Sequence, residues 1–507
     1  MNDSLLRQSA NESRLIASLR RQRDWAIAGC IVLAGSLVAS LCWGDDALNA
    51  SLRNAAAHSV EYGGKPLYLS LYAIEPAERA KALDGIAFCA FQLSHGGVPI
   101  SPVRVSDDCV MLDAAQYDPF NVGWLSAWQK IRDVRFALGD SYQYQFASGE
   151  AIAVSSVVVS GDRCSFVCNG KRYSDVPAKN LKQLSGAVAY PEWLDIGAAK
   201  LLRERTGYDM LDAREFAYAA SYTALYNEFV ANPKTLGEWR KLGGKFSAFG
   251  QAGARGWNAD TSAVTGFPRA GERFNGEWIT FDLDKSKEYT SNRDPFALPD
   301  RTAEFDAAEA FRLEHGGQFR TFIADGKGNR VDEVPPSVAI DYSHGVRALR
   351  VGLSCWSCHF TQNHNGVLPF QHSDGIPASK DYAKAAQLGA YYGDQDRLQR
   401  DAIRDQEDWR EAIMRACDGK EPHVAVAALN WLVDQVSTEP VTPERACREL
   451  CLPVEDDAAA TLKTWLHGVS NDALGQLAEG ESVNYARFRL ALPVALSHIS
   501  HARRFAK

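Results

Sequence analysis

Cys355-Trp356-Ser357-Cys358-His359 places two thiols and an imidazole within five consecutive positions. The order is C-x-x-C-H, the attachment signature for c-type haem. The spacing suits that chemistry. Two thiols one helical turn apart can each add across a haem vinyl group, forming two thioethers on one edge of the ring. The next residue then turns its imidazole toward the iron from the proximal side, and the macrocycle supplies the redox chemistry. The expectation is one covalently attached haem c, bound through Cys355 and Cys358 with His359 as proximal iron ligand. Gly366-Val367-Leu368-Pro369 follows as a loop whose carbonyl can accept the imidazole N–H and fix its tautomer.

The residue opposite His359 is open. The four methionines are Met1, Met111, Met210 and Met414. Met414 stands 55 residues after His359 in a stretch of helical character and is the candidate distal ligand; the competing reading is ordinary helix core beside Ile413 and Ala416. His364 and His372 are further candidates, each readable as a solvated loop residue. An open sixth position would permit catalysis, whereas a Met ligand would raise the potential. Two rivals to haem stand beside this. A structural zinc site would join Cys355 and Cys358 to Cys447 and Cys451. A thioredoxin-like dithiol would need a βαβ unit around the motif, and the sequence supplies none.

Haem attachment of this kind takes place outside the bacterial cytoplasm, so the N-terminus bears on the argument. Trp25–Trp43 is a run of 19 positions without a charge, long enough as a helix to span roughly 28 Å, close to the hydrocarbon thickness of a bilayer. Arg20, Arg21 and Arg23 precede it and Asp45 and Asp46 follow, which orients residues 1–24 to the cytoplasm and exports the rest. The expectation is a retained signal anchor in the inner membrane with the bulk of the chain in the periplasm. A cleaved signal peptide is the alternative, and the lipoprotein-like Ile27–Cys30 has its apolar run on the wrong side.

Five domain-level segments are expected. After 1–24 and the anchor 25–43 come a mixed α/β domain over 44–190 and a helical plus loop-and-hairpin region over 191–336. A cytochrome-c-like helical domain occupies 337–507. The overall class is α+β: an N-terminal transmembrane helix, a mixed α/β middle region and a mostly helical C-terminal cytochrome-c-like module. Ala151–Ser160 and Arg163–Tyr173 read as a hairpin, as do Gln318–Ile323 and Arg330–Val334 across Asp325-Gly326-Lys327-Gly328-Asn329. Ile196–Leu202 and Ala213–Phe229 read as helices. Phe249–Asp300 reads as ordered loops with short strands, and Gly250–Gly256 lacks the context of a phosphate cradle. Asp394–Glu411 is a charge run of the kind a solvated helix face carries.

Eleven cysteines exceed what the span and the motif use, and export favours disulfides. Cys164–Cys168 and Cys89–Cys109 are the sequence-local pairings, and Cys417 with Cys447 or Cys451 would tie two C-terminal helices. The net charge of −8 across 507 residues argues against a nucleic-acid binder, which would normally show a strongly basic face. It is compatible with a basic protein partner.

His315–Pro335, followed by Val351–His359, resembles a family of large exported bacterial cytochrome-c-like proteins of planctomycetes and some proteobacteria. Their members carry a similar hairpin ending in D-x-x-G-x-R-I-D and then N-G-I-S-C-x-S-C-H. The likeness extends weakly through Tyr68–Tyr72, Trp278–Phe281 and Ala446–Pro453. It implies one covalent haem on Cys355, Cys358 and His359 and no particular substrate. Family members often have a Met soon after the motif, where this chain has Asn363-His364. The functional expectation is one-electron transfer with an unidentified redox partner protein. A peroxidase-like haem enzyme or a haem sensor with an open iron site is the alternative, and a non-redox interaction protein with structural zinc is a third.

Overall fold

A computed structural model describes residues 47–96, 100–137, 142–145, 151–160, 163–168, 171–183, 196–242, 254–261, 268–274, 277–283, 305–314, 316–334, 341, 348–362, 364–366, 395–454 and 457–505.

The first sheet is built from strands whose two faces are both apolar. β1 (Pro66–Ser70), β2 (Val103–Ser106), β3 (Cys109–Asp113) and, after a five-stranded sheet, β9 (Leu211–Asp212) take the order β2-β3-β1-β9. Only the β1–β9 pair is parallel. Side chains alternate along a strand. Leu67, Leu69, Val110 and Leu112 therefore enter the main core, while Tyr68, Cys109 and Met111 enter a smaller one with Leu52, Ala55 and Leu202. The helices α1 (Ala47–Glu61) and, further on, α4 (Ile196–Thr206) supply those last three residues.

Across the main core lies α2 (Arg79–Leu93), buried from Gly85 to Leu93, followed by α3 (Trp124–Ala137). Strands β4 (Tyr142–Gln145), β5 (Ala151–Ser160), β6 (Arg163–Cys168), β7 (Lys171–Pro177) and β8 (Leu181–Gln183) form an antiparallel sheet in the order β7-β6-β5-β4-β8. Next comes α5 (Ala213–Ser221), buried over its whole length and capped by Asp212, whose carboxylate accepts from the Arg214 N–H.

A second antiparallel sheet runs as a meander: β10 (Ala254–Thr261), β11 (Pro268–Phe274), β12 (Glu277–Leu283), β13 (Phe305–Leu313) and β14 (Phe319–Asp325). The stretch read as ordered loops with short strands therefore carries three of its strands, each seven or eight residues long. The expected partner of Gln318–Ile323 also changes. β14 pairs along its full length with β13, and the downstream Glu333–Val334 (β15) pairs with Leu349–Arg350 (β16). Of the expected pairing there remain an isolated bridge between Arg330 and Ala324 and the Val331 N–H donated to the Ile323 carbonyl at 3.0 Å. Seven cross-strand partners outweigh a two-residue return.

The short helix α6 (Leu353–His359) and the hairpin β17 (Phe360–Thr361) to β18 (His364–Asn365) come next. Helices α7 (Gln395–Ala416), α8 (Pro422–Ser437), α9 (Pro443–Glu449), α10 (Ala458–Trp465), α11 (Asp472–Ala478) and α12 (Tyr485–Phe505) complete the chain. In the charge-rich α7, Ala402, Asp405, Trp409, Ala412 and Ala416 are buried at three- and four-residue spacing, so its solvated face has a core stripe behind it. α2 and α8 cross closely: a Cβ on Gly85 would lie 2.9 Å from the Ala428 carbonyl carbon.

Two features correct the expected class. The described protein is mixed α/β, and a single hydrophobic cluster runs from Leu67 through Trp356 to Ile499. The motif helix is thus embedded among α2, β14 and α8 rather than in a mostly helical module of its own. The expected transmembrane helix, Trp25–Trp43, falls on residues that are not among those described, and among those described no helix is long and apolar enough to cross a membrane.

The disulfide expectations are overturned too, since no disulfide joins the described cysteines. Cys89 lies in the main core and Cys109 in the smaller one, on opposite faces of β3. Cys164 and Cys168 are four residues apart on the extended strand β6, about 13 Å, beyond the roughly 7 Å a disulfide can bridge. Cys447 points its thiol at the Ala458 carbonyl, 3.6 Å away.

Candidate functional site

The motif helix starts at a glycine because nothing else fits there. Gly352 has φ +100°, and a Cβ on it would meet the Ser221 carbonyl oxygen at 2.6 Å. The end of α5 thus abuts the start of α6. Ser354 accepts from the Arg350 N–H at 3.0 Å and bonds the Asp341 carboxylate, which fastens the first turn. At 100° per residue, Cys355, Cys358 and His359 project within about 100° of one another.

Their environments differ. Cys358 is exposed, whereas Cys355 is 1% exposed. Burial pushes the Cys355 thiol well above its ordinary pKa. The Glu309 carboxylate adds to the effect, and hydrogen bonds from Gly352 and Thr321 partly offset it. Trp356, between the two cysteines, is fully buried and donates its indole N–H to the Phe319 carbonyl at 3.2 Å. Its ring meets Phe88 and Tyr226 edge-on, with centroids 5.6 and 5.5 Å apart.

The second sheet forms the floor under His359. In β13 the odd positions face the motif and the even ones face away, so Glu309 and Phe311 reach the imidazole while Arg312 stacks on Trp239 behind the sheet. The Phe311 and Phe319 rings lie 4.4 and 5.5 Å from the imidazole centroid. Glu309 Oε1 stands 3.7 Å from Nε2.

The other ring nitrogen is fixed. Gly366 accepts from Nδ1 at 2.8 Å, and because a carbonyl can only accept, Nδ1 carries the hydrogen. In the neutral ring Nε2 then keeps its lone pair. This is the contact the loop after the motif was expected to make, and its acceptor is the first residue of that loop; Val367, Leu368 and Pro369 lie outside the described residues.

The donor set fits a c-type haem on this observation. Both thiols and the imidazole come from one helix, and the Nδ1–H bond leaves Nε2 as the bare nitrogen that iron ligation requires. Cys355, Cys358 and His359 are the residues that would hold the group.

The distal candidates are less engaged. Met414 is half-buried on α7, five residues and so about 140° round the helix from Trp409, the residue that faces this site. His364 sits on β18, directly after the turn from β17. His372 lies outside the described residues. The zinc alternative fails on geometry: among the described residues, which include Cys355, Cys358, Cys447 and Cys451, no three His, Cys, Asp or Glu side chains are grouped to hold a metal ion.

Sequence reading missed Glu309, Phe311, Thr321 and Trp409. Glu309 and Phe311 sit in Phe305–Leu313, where three alanines blur the alternation a strand shows. Trp409 had a usable signal, as the large aromatic in a charge run at helical spacing from Ala402, Asp405 and Ala412. No family model, curated protein or solved structure matches this chain.

Proposed function

We propose that this chain is a periplasmic c-type cytochrome that carries one haem on Cys355 and Cys358, with His359 as proximal ligand, and passes single electrons to a redox partner. The observation that carries the reading is the 2.8 Å bond from His359 Nδ1 to Gly366, which holds the imidazole of a C-x-x-C-H helix in the tautomer an iron ligand needs. When bound, the haem would supply a one-electron iron couple. The chain's own part is to anchor the macrocycle through two thiols, to orient the imidazole with Phe311 and Phe319, and to keep water from Nε2, since His359 is 8% exposed. The resemblance over His315–Pro335 and Val351–His359 points the same way. The net charge of −8 favours a partner with a basic docking face.

The test is expression of the full chain in cells with a haem-c maturation system. The expected result is a haem-stained band that survives denaturation and is lost in Cys355→Ala/Cys358→Ala. Colourless protein under those conditions, or an unchanged band in the double variant, overturns the reading. The ferric spectrum of the loaded protein then separates a carrier from an enzyme: low-spin iron indifferent to cyanide belongs to the former, high-spin ligand-binding iron to the latter.

A further inference from the structure

Gly366 is tied to His359 twice. Its N–H donates to the His359 carbonyl at 2.7 Å, and its own carbonyl accepts from the imidazole Nδ1 at 2.8 Å. The glycine has φ +99°, and a Cβ added there would lie 2.0 Å from Cε3 and 2.4 Å from Cζ3 of Trp409. The indole is therefore pressed directly onto the glycine backbone. The same indole meets the Phe319 ring edge-on at 4.6 Å, and Phe319 is one of the two rings against the imidazole. Trp409 is fully buried and comes from α7, well after the motif in sequence. One side chain thus seats both the acceptor of the His359 hydrogen bond and a wall of the His359 pocket.

We propose that Trp409 is the positioning residue for the His359 imidazole. By pinning Gly366 it keeps Nδ1–H on the carbonyl and Nε2 bare and aimed in one direction. In the reading of His359 as proximal ligand, on which this rests, the clamp has a redox consequence. An imidazole that donates to a fixed carbonyl is a stronger electron donor to iron. It favours the ferric state and lowers the potential.

The variants are Trp409→Leu and Trp409→Phe from one side and Gly366→Ala from the other, each checked for folding by far-ultraviolet circular dichroism. On protein made without haem maturation, ring 15N shifts report the His359 tautomer at a pH where the ring is neutral, with His359→Gln assigning the signal. Wild type is expected to be Nδ1-protonated. Trp409→Leu and Gly366→Ala should move toward the Nε2-protonated form that free imidazole side chains prefer in water, and Trp409→Phe should stay near wild type. On loaded protein the midpoint potential should rise in the first two variants and change least in Trp409→Phe.

Should Trp409→Leu fail to fold, Gly366→Ala still decides the matter. An unchanged tautomer in folded Trp409→Leu or Gly366→Ala overturns the clamp, whether or not haem is present. Wild-type protein that takes up no haem overturns the function proposed above and leaves the tautomer measurement standing.

Discussion

Trp356, the residue between the two motif cysteines, donates its indole N–H to the backbone carbonyl of Phe319 at 3.2 Å. That bond joins the motif helix to the floor strand beneath it, and Phe88 and Tyr226 close on the ring from other elements. A residue that looks like a spacer in C-x-x-C-H is therefore a core anchor. Trp356→Ala should cost about 3–5 kcal/mol, as expected for emptying a buried indole site. Trp356→Phe should cost about 1–2 kcal/mol, chiefly from the carbonyl left without its donor. Urea unfolding midpoints check both, and a loss below about 0.5 kcal/mol for Trp356→Ala would contradict the packing.

The two motif thiols should behave differently before any haem is attached. Cys358 is exposed and Cys355 is buried, with its thiol pushed up by burial. Only the thiolate alkylates, and each unit of pKa elevation removes a factor of about ten in thiolate. Brief iodoacetamide treatment of folded, haem-free protein should label Cys358 at least ~10-fold faster than Cys355, Cys89, Cys109 or Cys417, where burial acts the same way. Peptide mass spectrometry reads the ratio. Equal labelling of Cys355 and Cys358 without unfolding would show that the motif helix does not lie on its sheet as described.

The chemistry-bearing residues were legible because haem attachment fixes them by local spacing: Cys355, Cys358, His359 and the acceptor loop at Gly366 lie within twelve consecutive residues. What packs against them was not, because it comes from far along the chain. β13 reads poorly, since Ala307, Ala308 and Ala310 weaken the alternation that would expose Glu309 and Phe311. Trp409 stands at helical spacing from Ala402 and Ala412 inside a charge run, a signal that marks a core stripe but not what that stripe packs against. The boundary near Pro335-Pro336 marked a change in local pattern, yet the core on either side of it is one cluster, a long-range fact that punctuation does not record. Disulfides were expected from compartment and proximity in sequence, and strand geometry at Cys109 and Cys164 set them aside.

A second anchor joins α5 to the C-terminal helices through buried charge. Arg214 takes Asp212 with two side-chain bonds, at 3.0 and 2.7 Å, and Glu449 at 2.8 Å, and it is 1% exposed. Arg445 also donates to Glu449, at 3.0 Å, and stacks on Tyr485, whose hydroxyl donates to Glu215 at 3.0 Å. Removing one member leaves its partners charged and dry. Glu449→Ala should therefore cost about 3–5 kcal/mol, while Arg104→Ala, at an exposed pair with Asp107, should change little. Chemical denaturation of the two variants side by side tests this, and comparable losses in both would sink it.

Glu277 gives the protein a pH dependence of definite sign. It stands at the start of β12 opposite Arg312, with which it pairs. Its side chain is 2% exposed and Oε2 has no hydrogen-bond partner among the described residues. Burial raises its pKa from 4.5 to about 6, and Arg312 opposes the rise without cancelling it. The folded state thus binds this proton more tightly than the unfolded chain does. The stabilisation is complete below about pH 4.5 and is lost as pH climbs through about 6. A shift of that size corresponds to about 2 kcal/mol. Half-buried His58 and His95 are lowered by partial burial and act in the opposite sense, gaining stability as pH rises toward 6.5, so the raw profile mixes the two. The difference between wild type and Glu277→Gln isolates the carboxylate. Relative to the Gln variant, wild type should lose about 2 kcal/mol between about pH 4.5 and 7, measured as guanidinium midpoints across that range. A flat difference profile, or one that slopes the other way, would mean that Arg312 holds Glu277 ionised throughout.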